Sequence, residues 1–178
     1  QNFEKQGASA LSVLTDEKYF NGGFDVLSRV SKATALPLLC KDFIIDPIQI
    51  HAARLCGASA ILLICAMHTA DSLKELADVA RQLNMEVLFE IHAAHELKLL
   101  ENIPYELIGI NNRNLSTLEI DIQTCHQIAP LIPADKILVC ESGITSPSQV
   151  PAQARAVLIG TALVKDPSLL SDLAQTPR

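Results

Sequence analysis

Short apolar runs recur along the whole chain, at 10–14, 36–40, 60–64, 87–91, 107–110, 137–140 and 156–159. Each is four or five residues long and carries apolar side chains on both faces, as in strands buried on both sides of a parallel sheet. Longer amphipathic stretches separate them. Asp46-Pro47 predicts a helix start, with Asp as N-cap and Pro at the first helical position, and Ser146-Pro147 repeats that signature. Residues 71–83 place Leu73, Leu76, Val79, Ala80 and Leu83 at helical spacing. The stretch 2–6 reads as the end of a helix stopped by Gly7. A weak repeat, Gly7-Ala8-Ser9-Ala10 and Gly57-Ala58-Ser59-Ala60, precedes two of the runs, and in each copy Gly suits the left-handed position that closes a helix. The order is thus βα repeated seven times, which builds either an open doubly wound sheet or a closed barrel. Nothing resembles a linker. Residues 1–178 are expected to form a single domain, N-terminally incomplete, with one strand and part of a helix preceding Gln1.

Composition narrows the function classes. Nearly half of the residues are apolar (49%), which excludes a disordered chain. No apolar run reaches the roughly 18 residues of a membrane span, and the first residues form no signal-peptide core. A formal net charge of −6 argues against a nucleic-acid surface, so an anionic ligand must be held by local groups. The five cysteines (Cys40, Cys56, Cys65, Cys125 and Cys140) include no CxxC pair and are read as reduced packing residues of a cytoplasmic protein.

In a βα barrel the chemistry lies at the C-terminal ends of the strands. The first charged or amide groups there are Asp16, Lys41, Glu90, Asn111 with Arg113, and Glu141. Lys41, Glu90, Asn111 and Glu141 are expected to face a common cavity. A lysine and two carboxylates can do acid–base work on a carbonyl substrate. Ser142-Gly143 and Gly160-Thr161 follow the last two runs, where such barrels hold phosphate on backbone N–H groups. The group His92-Ala93-Ala94-His95-Glu96 invites a metal reading, but the two His lack a third ligand. It is read as a solvated first turn of helix, and no metal is expected.

The blocks from Leu14 to Gly22, from Lys41 to Pro47, Glu90-Ile91, from Gly109 to Leu115, and from Glu141 to Ile144 stand in an order and spacing that resemble indole-3-glycerol-phosphate synthase. The resemblance implies a (β/α)8 TIM barrel of α/β class, with seven of eight units in this chain. It implies a carboxy-lyase of tryptophan biosynthesis that closes the indole ring of 1-(2-carboxyphenylamino)-1-deoxyribulose 5-phosphate, with loss of CO₂ and water and no cofactor. Carried over by position, Lys41 resembles the general acid of ring closure and Glu90 the acid–base residue of dehydration. Glu141, also counted as catalytic, resembles with Ser142 the substrate-hydroxyl and mouth contacts. Asn111 and Arg113 resemble the groups that orient the substrate. Phe20, Phe43, Leu62 and Leu115 resemble the apolar walls around its aromatic ring, and Gly143, Gly160 and Thr161 the phosphate cradle.

The sequence also departs from the family pattern. The Glu-x-Lys pair and Ser-Pro-Ser turn of the family's first strand are not in it. Ala154 stands where the family tends to place Gly, and the shorter stretch between Glu141 and Gly160 predicts a seventh helix of about two turns. The alternatives are another phosphosugar barrel, such as a phosphoribosylanthranilate isomerase using an early Cys/Asp pair, or an inactive truncated remnant. The expected partner is the small phosphosugar-anthranilate substrate, with no nucleic acid and no membrane. Self-association or a pathway-enzyme partner is left open.

Overall fold

A computed structural model describes residues 2–175, which divide between Phe89 and Glu90 into two compact units. The first unit runs α1 (Asn2–Lys5), β1 (Leu11–Leu14), α2 (Glu17–Phe20), α3 (Phe24–Ser31), β2 (Leu38–Lys41), α4 (Pro47–Leu55), β3 (Ala60–Ile64), α5 (Ala70–Gln82) and most of β4 (Glu86–Ile91). β1 pairs parallel with β2, Leu14 lying opposite Lys41, and β2 pairs parallel with β3, Cys40 opposite Ile61. Leu38, Cys40, Ile61 and Leu63 from the strands and Leu27, Ile50, Ala53, Leu73 and Ala80 from the helices are all buried. The helix signals act as expected. Asp46 caps α4 through a complete capping box with Gln49, Pro47 stands in its first turn, and Thr69 caps α5. Gly7 (φ 98°) and Gly57 (φ 94°) both take the left-handed conformation read from the repeat.

The second unit runs from the end of β4 through β5 (Leu107–Asn111), α6 (Gln123–Ile128), β6 (Ile137–Glu141), β7 (Ala154–Leu158), α7 (Thr161–Lys165) and α8 (Leu169–Gln175). β5 pairs parallel with β6, Asn111 opposite Glu141, and β6 pairs parallel with β7, Glu141 opposite Leu158. A register shift at Leu138/Val139 accommodates one extra residue, Arg155, on β7. Ile144, Leu163, Leu169 and Leu173 form a buried cluster of their own. Within each unit the strands pair in chain order, all parallel, without the reversal that marks a doubly wound sheet. That winding is the one of a (β/α)8 barrel.

Three expectations are corrected. The seventh helix, read as about two turns, is a single 3-10 turn, Pro147–Gln149, closed by a capping box between Ser146 and Gln149. Pro151 follows two residues later, and a proline cannot donate to a helical ladder. The cysteines are not all reduced: Cys125 of α6 is bonded to Cys140 of β6, leaving Cys40, Cys56 and Cys65 as thiols. Spacing could not reveal this pair, because the two cysteines lie 15 residues apart in sequence, one on a helix and one on a strand. Finally, His92 is not solvated. Its side chain is largely buried, and a 3-10 segment, Ala94–Leu100, follows it in place of an α-helix.

Candidate active site

In the first unit the strand-end groups gather around the loop after β2. Lys41 is the last residue of β2 and half-buried. Asp42 is fixed on both carboxylate oxygens: Thr15 Oγ1 donates to Oδ2 at 2.7 Å, and the Phe43 N–H donates to Oδ1 at 2.8 Å. Phe43 and Phe20 stack at a centroid separation of 6.2 Å, and Tyr19 meets Phe43 edge-on, so two of the expected apolar wall residues do pack together. Phe20 reaches Phe43 because α2 is held at both ends. Asp16 accepts from the Tyr19 N–H at its start, and Gly22 closes against β1 at its end. Leu62 of β3 is 2% exposed and sits inside the packed core, with no open face of its own. Asp16, one of the strand-end charges, is a helix cap.

The second unit holds the buried carboxylates. Glu90 and Glu141 are each 1% exposed. Burying a carboxylate is costly unless hydrogen bonds or charges compensate it. Asn111 Nδ2 donates to Glu90 Oε1 at 3.0 Å, and the Arg113 N–H donates to Asn111 Oδ1 at 3.0 Å, so the amide orientation of Asn111 is fixed from both sides. His92 Nε2 lies 3.2 Å from the same Glu90 Oε1. Asn111 and Glu141 are opposite each other at the ends of β5 and β6, which places their backbones in one row with Leu158. Arg113 turns its guanidinium onto the Leu118 carbonyl at 3.2 Å, and Leu115, in the same turn, is 40% exposed.

The same register sets the two glycine loops side by side. Ser142 (φ 62°) and Gly143 (φ 76°) leave β6 in left-handed conformation, while Gly160 and Thr161 open α7 after β7. A Cβ on Gly160 would meet nothing within 4 Å, so that backbone is open to an approaching group.

Two contributors escaped the sequence reading. One is His92. The other is Asn112, 2% exposed, which donates from Nδ2 to the Ser142 carbonyl at 2.9 Å and accepts from the Cys125 N–H at 2.9 Å. The Asn111-Asn112 doublet carried the signal: Asn111 ends β5 and serves Glu90, while Asn112, the residue after the strand, serves the α6 side.

The fold is that of a (β/α)-barrel enzyme, with charged and amide side chains at its strand ends. The family model described as indole-3-glycerol phosphate synthase matches residues 1–175. A protein of that name from Oceanobacillus iheyensis is 42% identical over 175 residues, covering 96% of this chain and 67% of its own length. Another from Albidiferax ferrireducens is 43% identical over 171 residues, covering 94% of this chain and 65% of its own length. The tryptophan biosynthesis protein TrpCF of Yersinia pestis is 46% identical over 168 residues, covering 93% of this chain and 35% of its own length. The chain belongs to the indole-3-glycerol phosphate synthase family, and spans about two-thirds of the length of the first two relatives.

Proposed function

We propose that the protein closes the indole ring of 1-(2-carboxyphenylamino)-1-deoxyribulose 5-phosphate, releasing CO₂ and water and leaving indole-3-glycerol phosphate. The observation that carries this reading is the pair of deeply buried carboxylates at strand ends, Glu90 and Glu141, with Glu90 held by an amide that is itself held. A packing role does not call for two buried carboxylates; proton transfer does. In this reading Lys41 donates toward the substrate carbonyl oxygen as the aryl carbon attacks it. A cation aimed there stabilises the developing negative charge more than the ground state. CO₂ then leaves, restoring the aromatic ring, and Glu90 moves the proton that lets the hydroxyl depart as water. Glu141 and Ser142 hold substrate hydroxyls, Asn111 and Arg113 orient the carboxylate, and Phe20, Phe43 and Leu115 flank the ring. Leu62 supports that wall from within the core. Gly143, Gly160 and Thr161 offer backbone N–H groups and a hydroxyl to the phosphate. We further place the protein in the cytoplasm, with a second copy of itself or a tryptophan-pathway enzyme as its partner.

An isomerase using an early Cys/Asp pair is not favoured. Cys40 is wholly buried, and burial pushes its thiol up to about 11, out of range for acid–base work near neutrality. The test is direct. The protein as its gene encodes it, given the substrate, should generate indole fluorescence, and Lys41→Ala should lower kcat by about 10²–10⁴-fold while KM moves only a few-fold. No fluorescence from the unaltered protein supports the inactive reading, and a Lys41→Ala loss under about fivefold removes Lys41 from its role.

A further inference from the structure

The His92–Glu96 segment is absorbed by none of these roles. His92 follows the last residue of β4, two residues after Glu90. The His92 imidazole is 12% exposed, and its Nε2 lies 3.2 Å from Glu90 Oε1, the oxygen that also accepts from Asn111 Nδ2. The backbone beneath the ring is held as well. The His92 N–H donates to Glu96 Oε2 at 3.2 Å, and Glu96 is itself buried at 6% exposure. A carboxylate oxygen only accepts, so the nitrogen facing it must be the one that carries hydrogen. Neither ring nitrogen makes an aligned hydrogen bond to any described residue, so the 3.2 Å approach of Nε2 to Glu90 Oε1 is a close ion-pair contact. The ring's close polar contact among the described residues is with the buried Glu90 carboxylate.

We infer that His92 is a positioning residue for Glu90. The His92 ring, in close contact at 3.2 Å, and the hydrogen-bonded Asn111 amide converge on one carboxylate oxygen and fix the direction in which Glu90 presents its proton-transferring group. The inference rests on the proposed role of Glu90 in dehydration. An unanchored carboxylate swings about its side-chain torsions, and misplacement of a reacting group by about 1 Å can cost 10²-fold.

The experiment uses the protein as its gene encodes it, with indole fluorescence, steady-state kinetics and thermal melting. His92→Ala should lower kcat by about 10–100-fold with KM within about threefold of the parent, because ground-state binding does not pass through this contact. His92→Gln returns an uncharged N–H at similar reach and should recover most of that loss. His95→Ala, at an exposed position of the same segment, serves as the control that leaves kinetics unaltered. Parental kcat in His92→Ala overturns the inference. So does equal loss in the Ala and Gln variants accompanied by an equal drop in melting temperature, which marks a purely structural ring. If His92→Ala fails to fold, the Gln variant decides alone: kcat near parental at an unaltered melting temperature supports positioning through an N–H, and a loss beyond about 30-fold at that temperature overturns it. Absence of product from the parent protein sinks the proposed function instead, so the two failures are distinguishable.

Discussion

Cys40 shows how a single side chain can carry a pH dependence. It lies in β2, next to Lys41 in sequence, with its sulfur 3.3 Å from Thr15 Oγ1. The Thr15 hydroxyl proton is committed to Asp42, so the thiol is the donor toward Thr15. Burial pushes the thiol from 9.0 up to about 11; the Thr15 contact opposes this and the nearby Asp42 charge adds to it. The native protein thus keeps a proton between about pH 9 and pH 11 that the unfolded chain has lost. Stability from the buried neutral thiol is whole below about pH 9 and drains away as the pH rises toward 11. Two shifted pH intervals correspond to about 3 kcal/mol. Urea midpoints of the parent and of Cys40→Ala, compared at pH 8 and pH 10.5, should show the steeper fall in the parent. Equal slopes would refute the assignment. In the native protein at pH 8, iodoacetamide should label the partly exposed Cys56 well before Cys40. At this scale the sequence was informative where position alone decides: a charged or amide residue ending a strand is placed by the strand, as with Lys41, Asn111 and Glu141. It was silent where a neighbour decides. Nothing in the letters around His92 says that its ring turns back onto Glu90.

At the scale of elements, apolar runs gave the strands almost to the residue, because a buried parallel strand has little choice of side chain. Their C-terminal polar residues were read as following the strands, yet Lys41, Asn111 and Glu141 still pair in register. Backbone hydrogen bonding is indifferent to side-chain polarity, so hydropathy ends a strand too soon. The α6–β6 connection was illegible for another reason. Cys125 and Cys140 meet because α6 packs on β5, the strand paired with β6. The bond predicts three titratable thiols, not five, in the denatured, unreduced protein. Closing a 15-residue separation stabilises by about 3 kcal/mol in the chain-entropy account, so reduction, or replacement of both cysteines by alanine, should lower the unfolding free energy by roughly that amount. Five thiols in that titration would refute the bond. Gly22 makes a second element-scale case. A Cβ there would stand 2.2 Å from the Leu14 carbonyl oxygen and 2.6 Å from its carbon, and backbone atoms of a paired strand cannot yield as a side chain can. Gly22→Ala should therefore cost roughly 1–3 kcal/mol and displace α2. Phe20 rides on that helix, so its stacking on Phe43 should loosen. A melting temperature equal to the parent's would contradict this.

At the scale of the whole molecule, the regular alternation of runs and amphipathic stretches specified the βα order, and chain-order pairing within each unit chose barrel winding over doubly wound winding. Periodicity could not make that choice, since both folds bury the same kind of strand; pairing order had to be seen. What composition did specify is the electrostatic character. The chain carries 14 Lys and Arg against 20 Asp and Glu, a formal net charge of −6. The proposed substrate carries a phosphate and a carboxylate, so the long-range field of this chain opposes its approach, and attraction comes only from groups at the site. A net-positive protein would steer such a ligand, and that steering would collapse as salt shortens the screening length from about 30 Å at 0.01 M to about 8 Å at 0.15 M. Here the two contributions oppose each other. Salt weakens the attraction assigned to Lys41 and Arg113 in the proposed function, and it also weakens the repulsion from the surrounding carboxylates. The expectation is a kcat/KM that varies by less than about threefold across that range of ionic strength, with kcat unaltered. Measuring both constants in sodium chloride at constant pH tests this, with the viscosity held fixed. A fall beyond about tenfold would mean that a concentrated cationic patch governs encounter despite the net charge, and substitution of Lys41 should then flatten the salt dependence along with lowering kcat.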